Sequence, residues 1–106
     1  MASSTIRGGV VLIGSKDITN TDTSIALTDD VSKYKFLEIF YFEGSAFRGH
    51  ITISAYNLMH KTPLSIPFVA GGNVQTVLIT FTDNTHITAK TDSANHSGTV
   101  DIYGIN

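Results

Sequence analysis

The segment GHITISAY, at positions 49–56, alternates apolar and polar side chains. Ile51, Ile53 and Ala55 share one side of this alternation, and the histidine, threonine and serine between them share the other. A period of two is typical of a β-strand that buries one face against a core. The segment therefore predicts a strand over its whole length, followed by a loop at 57–63.

Neighbouring apolar segments extend this pattern. Positions 34–42 are apolar on both faces, which predicts a central strand covered by a sheet on one side and by a partner or loops on the other. At 76–82, threonines alternate with Val77, Ile79 and Phe81, so we expect Phe81 in the core. No segment keeps apolar residues at helical spacing over three turns, so helices are not expected.

Turn residues divide the chain into about eight short strands. Gly71-Gly72-Asn73 predicts a tight hairpin, and Pro67 confines the strand before it to a sheet edge. Strands at a spacing of roughly ten residues predict an all-β fold. We expect a single antiparallel β-sandwich of jelly-roll-like type, one domain comprising residues 1–106.

Composition excludes several classes of function. The chain has 106 residues, of which 42% are hydrophobic, enough for one core and too few for two. The formal net charge is −2 and no basic cluster is present, so we expect no nucleic-acid partner. No apolar run reaches the roughly 18 residues that span a bilayer, so we expect no membrane insertion. The absence of cysteine removes disulfides and thiolate metal sites.

The ionisable residues do not have the sequence spacing that is typical of a catalytic or metal-binding site. The four histidines are ten or more residues apart, not at the i, i+2 or i, i+4 spacing of paired metal ligands. The chain lacks both Gly-x-Ser-x-Gly and Gly-x-Gly-x-x-Gly. We therefore expect no enzyme, no metal and no cofactor. Glu38 lies among aromatic residues, and Arg48 is its expected partner.

Two groups of residues combine an aromatic ring with polar side chains, the mixture that binds sugars. One group is Phe47 and Arg48, and the other is Tyr56, Asn57 and His60. The strand between them is seven residues long, which separates the groups by roughly 20–25 Å at its usual rise. Only one group can be the site unless a neighbouring subunit brings the two together, and we favour the Tyr56 group.

Phe47 leaves two alternatives open. It lies in a predicted loop beside a cation, where an exposed ring serves as an interface anchor or a ligand platform. The second alternative is that the ring folds back and closes the end of the sandwich.

Two segments resemble bacteriophage and prophage tail-fibre and tailspike proteins. The first is IALTDDVSKYKFLEI at 25–39, where a Leu-Thr-Asp turn precedes Tyr-x-Phe-Leu and an apolar strand. The second is VDIYGIN at 100–106, which is similar to the Ile-Tyr-Gly-Ile finish of many such proteins. The resemblance covers both ends of the chain and is diffuse in the middle.

The resemblance implies a C-terminal β-sandwich head on a longer, homotrimeric fibre protein, with no catalytic residues in this domain. Its implied role is host recognition through a bacterial cell-surface glycan. The implied location is the phage tail, after synthesis in the cytoplasm of the bacterial host. Two alternatives stay open: a structural module that trimerises or caps a fibre, and a free-standing lectin that binds carbohydrate.

Overall fold

The computed structural model describes residues 9–106, and it confirms the expected all-β sandwich. A 3₁₀ turn (Val31–Lys33) and one short helix, α1 (Ala55–His60), interrupt the strands of this region. The strands are β1 (Val10–Ile18), β2 (Thr23–Ala26), β3 (Phe36–Glu43), β4 (Ala46–Ser54), β5 (Leu64–Ala70), β6 (Asn73–Asp83), β7 (His86–Thr91) and β8 (Gly98–Ile105).

The strands form two four-stranded sheets in the orders β1-β8-β3-β4 and β2-β7-β6-β5, and every pair is antiparallel. β1 pairs with β8 and β2 with β7, as in an antiparallel ribbon that is rolled up from its two ends. A fully rolled ribbon would also pair β3 with β6 and β4 with β5. Here β3–β4 and β5–β6 are local hairpins instead, so the fold is jelly-roll-like only in its outer ribbon.

The core lies between the two sheets and takes alternate residues from the strands. In β3, the side chains of Leu37, Ile39 and Tyr41 are fully buried, as are those of Val100 and Ile102 in β8. Each such side chain contributes roughly 1.5–3 kcal/mol through removal of apolar surface from water. The side chains between them face solvent, so β3 and β8 each present one face to the outside.

Two sequence predictions about β5 and β6 are confirmed. Gly71 and Gly72 join the strands with φ angles of 60° and 79°, the positive pair that a two-residue hairpin turn requires. β5 lies at the edge of its sheet, where Pro67 interrupts no central ladder.

The strand predicted at 49–56 ends early. β4 stops at Ser54, and Tyr56 lies in α1 rather than in a strand or loop. The Ser54 hydroxyl accepts a hydrogen bond from the Asn57 N–H at 3.0 Å, which caps the start of the helix. Ala55 and Leu58 are buried on one side of α1, at the i, i+3 spacing of a helix face.

Phe81 packs against the core, as the alternation predicts, but it is less deeply buried than expected. Val77 and Ile79 are fully buried, but Phe81 is only partly so. Phe81 pairs with the buried Ile87 and therefore keeps the inward face, but it lies near the end of β6, next to the register shift between Phe81 and Asp83.

Candidate ligand-binding groove

The outward side of the sheet β1-β8-β3-β4 is rich in aromatic rings. Residues that pair directly across antiparallel strands share a face, so the strand register identifies which residues lie on this side of the sheet. We call this surface the aromatic face. Its ring-bearing members are Phe36, Phe40 and Phe42 of β3, Phe47 and His50 of β4, and Tyr103 of β8.

Phe40 is the centre of this surface. Its ring stacks on the His50 imidazole with the ring centroids 4.5 Å apart, and Tyr103 meets it edge-on at 5.7 Å. Phe42 and Phe47 lie at 6.2 and 6.1 Å from the same ring. These contacts hold the rings in fixed relative positions without covering them from solvent.

Glu38 supplies a carboxylate to the aromatic face. Its Oε2 lies 3.1 Å from His50 Nε2 and accepts a longer hydrogen bond from the Thr52 hydroxyl at 3.5 Å. Within residues 9–106, Oε1 of Glu38 and the hydroxyl of Tyr103 make no hydrogen bond. Arg48, the partner expected from the sequence, is bound to Glu43 instead.

A shallow groove of about 250 Å³ runs over this surface. Among the described residues, its lining consists of Val10, Glu38, Phe40, Phe42 and Tyr103, and we call it the Glu38 groove. It therefore combines ring faces and edges with two polar atoms that have no hydrogen-bond partner among residues 9–106. A second hollow, of about 270 Å³ around Asp17 and Gly98, has no aromatic ring among the described residues of its lining.

The chemistry of the Glu38 groove suits a flat ligand with apolar C–H groups and hydroxyls. C–H groups pack against ring faces, while hydroxyls need fixed acceptors and donors. Oε1 of Glu38 can accept a hydrogen bond, and the Tyr103 hydroxyl can donate or accept one. A sugar ring has both kinds of surface.

The Tyr56 group predicted from the sequence lies elsewhere, on α1. The Tyr56 and His60 rings are 4.4 Å apart, one helical turn from each other, and the Tyr56 side chain is 65% exposed. The backbone of Asn57 takes part in the helix cap. The structure thus brings Tyr56, Asn57 and His60 together on a short helix, away from the groove.

The structure separates the two members of the other predicted group. The Phe47 ring lies on the aromatic face against Phe40 and Phe42 and is 57% exposed, so it does not close the end of the sandwich. The Arg48 side chain turns to Glu43, with Nε 3.0 Å from Oε1.

Glu43 is the centre of a polar cluster, which we call the Glu43 cluster. Its carboxylate accepts hydrogen bonds from the Tyr41 hydroxyl at 2.8 Å and from Arg48 Nε, and it lies 2.9 Å from His96 Nδ1. Burial opposes ionisation of Glu43, but the hydrogen bonds from Tyr41, His96 and Arg48 outweigh it and hold its pKa below the ordinary value. Burial and the bond to Glu43 raise the pKa of Tyr41.

Two further ion pairs are local in the chain, Lys33 with Asp29 and His86 with Asp83. His86 Nδ1 lies 2.9 Å from an Asp83 oxygen, next to the turn between β6 and β7. No group of three potential metal ligands occurs in the part of the chain from residue 9 to residue 106. In the same region, no helix is long and apolar enough to span a membrane.

Comparison with protein-family models, with curated proteins and with solved structures finds no match to the chain.

Sequence reasoning missed the Glu38 groove although it identified part of its composition. The two-sided apolar pattern at 34–42 indicated that Phe36, Phe40 and Phe42 share the face of Glu38. Tyr103 joins them only through the pairing of β3 with β8, where Glu38 is opposite Tyr103. A pairing between strands that are far apart in the chain is not readable from local alternation.

Proposed function

We propose that the chain is a non-enzymatic head domain of a bacteriophage tail fibre or tailspike, and that it binds a bacterial surface glycan through the Glu38 groove. The observation that carries the proposal is the meeting of partly exposed rings with two polar atoms that make no hydrogen bond to any of residues 9–106. In this proposal the domain is made in the bacterial host and carried on the virion.

The position of the groove in the chain supports the proposal. The two segments that resemble fibre proteins, 25–39 and 100–106, contribute the adjacent strands β3 and β8. Glu38 and Tyr103 each belong to one of these segments and are directly opposite in the register. Two of the five described lining residues, Glu38 and Tyr103, therefore lie in the segments that carry the resemblance.

The test is binding of the purified domain to an array of bacterial surface polysaccharides and to host cells. Tyr103→Leu keeps an apolar side chain against Phe40 but removes the ring and its hydroxyl, so we expect at least tenfold weaker binding. The matched control is Tyr56→Ala with Asn57→Ala, which alters the exposed side of α1 and should leave binding unchanged.

Two results would overturn the glycan proposal. One is wild-type protein that binds no polysaccharide and no host cell. The other is a folded Tyr103→Leu variant, shown by an unchanged thermal melt, that binds as tightly as wild type. Loss of binding only in the α1 double variant would assign the site to Tyr56 and Asn57 instead.

A second candidate function is a structural module that trimerises or caps a fibre. It is favoured by the exposed apolar side chains on the aromatic face, where Val10, Leu12 and Phe36 are 45%, 48% and 45% exposed. Phe47, at the other end of the β3–β4 hairpin, is 57% exposed, and large exposed apolar side chains on one face are typical of an interaction surface. In this function, neighbouring copies cover the aromatic face, so the groove is closed to a glycan.

A further inference from the structure

We infer that the Glu38 groove selects electrically neutral sugar residues and rejects acidic ones. This inference rests on the proposed glycan-binding function and specifies its ligand class. It follows from the charges on the aromatic face and from the hydrogen-bonding atoms that the groove leaves free.

Two carboxylates lie on this part of the aromatic face, and the imidazole of His50 lies 3.1 Å from one of them. Glu38 lies in the groove itself, and Asp101 is next along the same outward face, opposite Phe40 in the register. Asp101 accepts a hydrogen bond from the Ser15 hydroxyl at 2.6 Å, which leaves its charge in place. No lysine or arginine is among the described residues of the lining. A sugar carboxylate or sulfate in this groove meets charges of its own sign.

The polar atoms of the groove that make no hydrogen bond within residues 9–106 also favour a neutral sugar over an acidic one. Oε1 of Glu38 is a pure acceptor when ionised, so it needs a hydroxyl or amide N–H from the ligand. A sugar carboxylate placed against it would bring two acceptors together without a proton between them. The Tyr103 hydroxyl is the one free donor among the described groove residues, and a single neutral donor does not offset that repulsion.

The size of the groove limits the ligand to one sugar ring at a time. Pockets for drug-sized ligands occupy roughly 300–1,000 Å³, and the Glu38 groove has about 250 Å³. The charge of the residue that enters therefore has the largest effect on binding, because it lies nearest to Glu38.

The test uses matched pairs of oligosaccharides that differ only at C6. Glucose, mannose and galactose oligomers are compared with their uronic acid counterparts, which carry a carboxylate there. We expect wild-type protein to bind at least one neutral oligomer about tenfold more tightly than its acidic counterpart. Glu38→Gln keeps the shape of the side chain and removes the charge, so this ratio should fall to within about threefold.

The matched control is Asp83→Asn. Asp83 is also a carboxylate paired with a histidine, but it belongs to β6 in the other sheet. Its substitution should leave the neutral-to-acidic ratio at the wild-type value. The ratio is independent of the fraction of folded protein, so a destabilised variant still gives an answer.

The outcomes separate the inference from the proposed function. Equal binding of the two members of a pair by wild type, or tighter binding of the acidic member, overturns the inference alone. So does an unchanged ratio in Glu38→Gln. Binding to no oligomer while host cells are still bound also overturns only the inference. Binding to neither the oligomers nor host cells overturns both.

Discussion

At the scale of single residues, the Tyr34 ring packs closely over Gly104. A Cβ atom on Gly104 would lie 2.6 Å from carbon atoms of that ring, closer than real contacts allow. The Tyr34 hydroxyl donates a hydrogen bond to Asp29 at 2.8 Å, which fixes the ring in place. Burial and the bond to Asp29 raise the pKa of Tyr34 to about 12, so the hydroxyl stays protonated at neutral pH.

We predict that Gly104→Ala destabilises the fold by about 1–3 kcal/mol, because the added methyl group displaces the Tyr34 ring. Chemical denaturation measures the loss. In a Tyr34→Ala background the ring is gone, so the same Gly104 substitution should cost less there. An equal cost in the two backgrounds would show that the ring is not what restricts position 104.

Residue-scale contacts were the part least accessible from the sequence. Arg48 was expected beside Glu38, because the two are close in the chain and opposite in charge. The pairing of β3 with β4 instead places Thr52 directly opposite Glu38 and His50 one step along the same face. The bulge between Tyr41 and Phe42 lies beside Arg48, whose side chain turns to Glu43.

At the scale of elements, the Glu43 cluster ties the β3–β4 hairpin to the connection between β7 and β8. Glu43 and Arg48 lie in the hairpin, and His96 lies in the connection. The His96 ring also meets Phe68 of β5 edge-on at 5.5 Å. One carboxylate thus joins parts of both sheets.

We predict that acid weakens this connection. The pKa of Glu43 is lower in the folded protein than its ordinary value, so its ionised form stabilises the fold at neutral pH. That contribution is lost as the pH falls through the lowered, folded-state pKa. Thermal melts at several pH values should therefore show a shallower acid-induced drop in Glu43→Gln than in wild type.

Asp22→Asn is the control for removal of a negative charge, since Asp22 is exposed and makes only a 3.8 Å contact with Lys90. Its melts should follow the wild-type pH profile. Glu43→Gln could instead retain the full acid-induced drop in melting temperature. In that case other carboxyl groups with lowered pKa values, such as those of Asp29 and Asp30, account for the drop.

Element type and sheet faces were largely predictable, because alternation in Ile, Val and Thr reports directly on which side a strand buries. The sequence did not reveal α1, since Ser54, Ala55 and Tyr56 fit a polar–apolar alternation as well as a helix start. The serine cap and the burial of Leu58 decide between the two. Phe81 has the predicted face, opposite Ile87, but alternation does not report how deeply a residue near the end of a strand is buried.

At the scale of the whole molecule, we predict a homotrimer, as the resemblance to fibre proteins implies, although dimers are the commoner assembly. Light scattering at micromolar concentration should give three times the monomer mass. Phe36→Ser should leave that mass unchanged, because glycan binding needs the aromatic face open. A monomer mass for wild type would contradict the trimer. A trimer that Phe36→Ser dissociates would favour the structural module.

The order of the strands also has a consequence for synthesis on the ribosome. β8 lies between β1 and β3 in its sheet. Ser15 of β1 is hydrogen-bonded to Asp101 of β8, and these two residues are 86 positions apart in the chain. At about 5–20 residues per second, β1 waits on the order of 4–17 s for its partner. During that time its edge is open to other nascent chains, a known route to aggregation. In chains arrested on the ribosome, we therefore expect β1 to resist protease only after position 105 has left the exit tunnel. Protease resistance of β1 in shorter nascent chains would contradict this expectation.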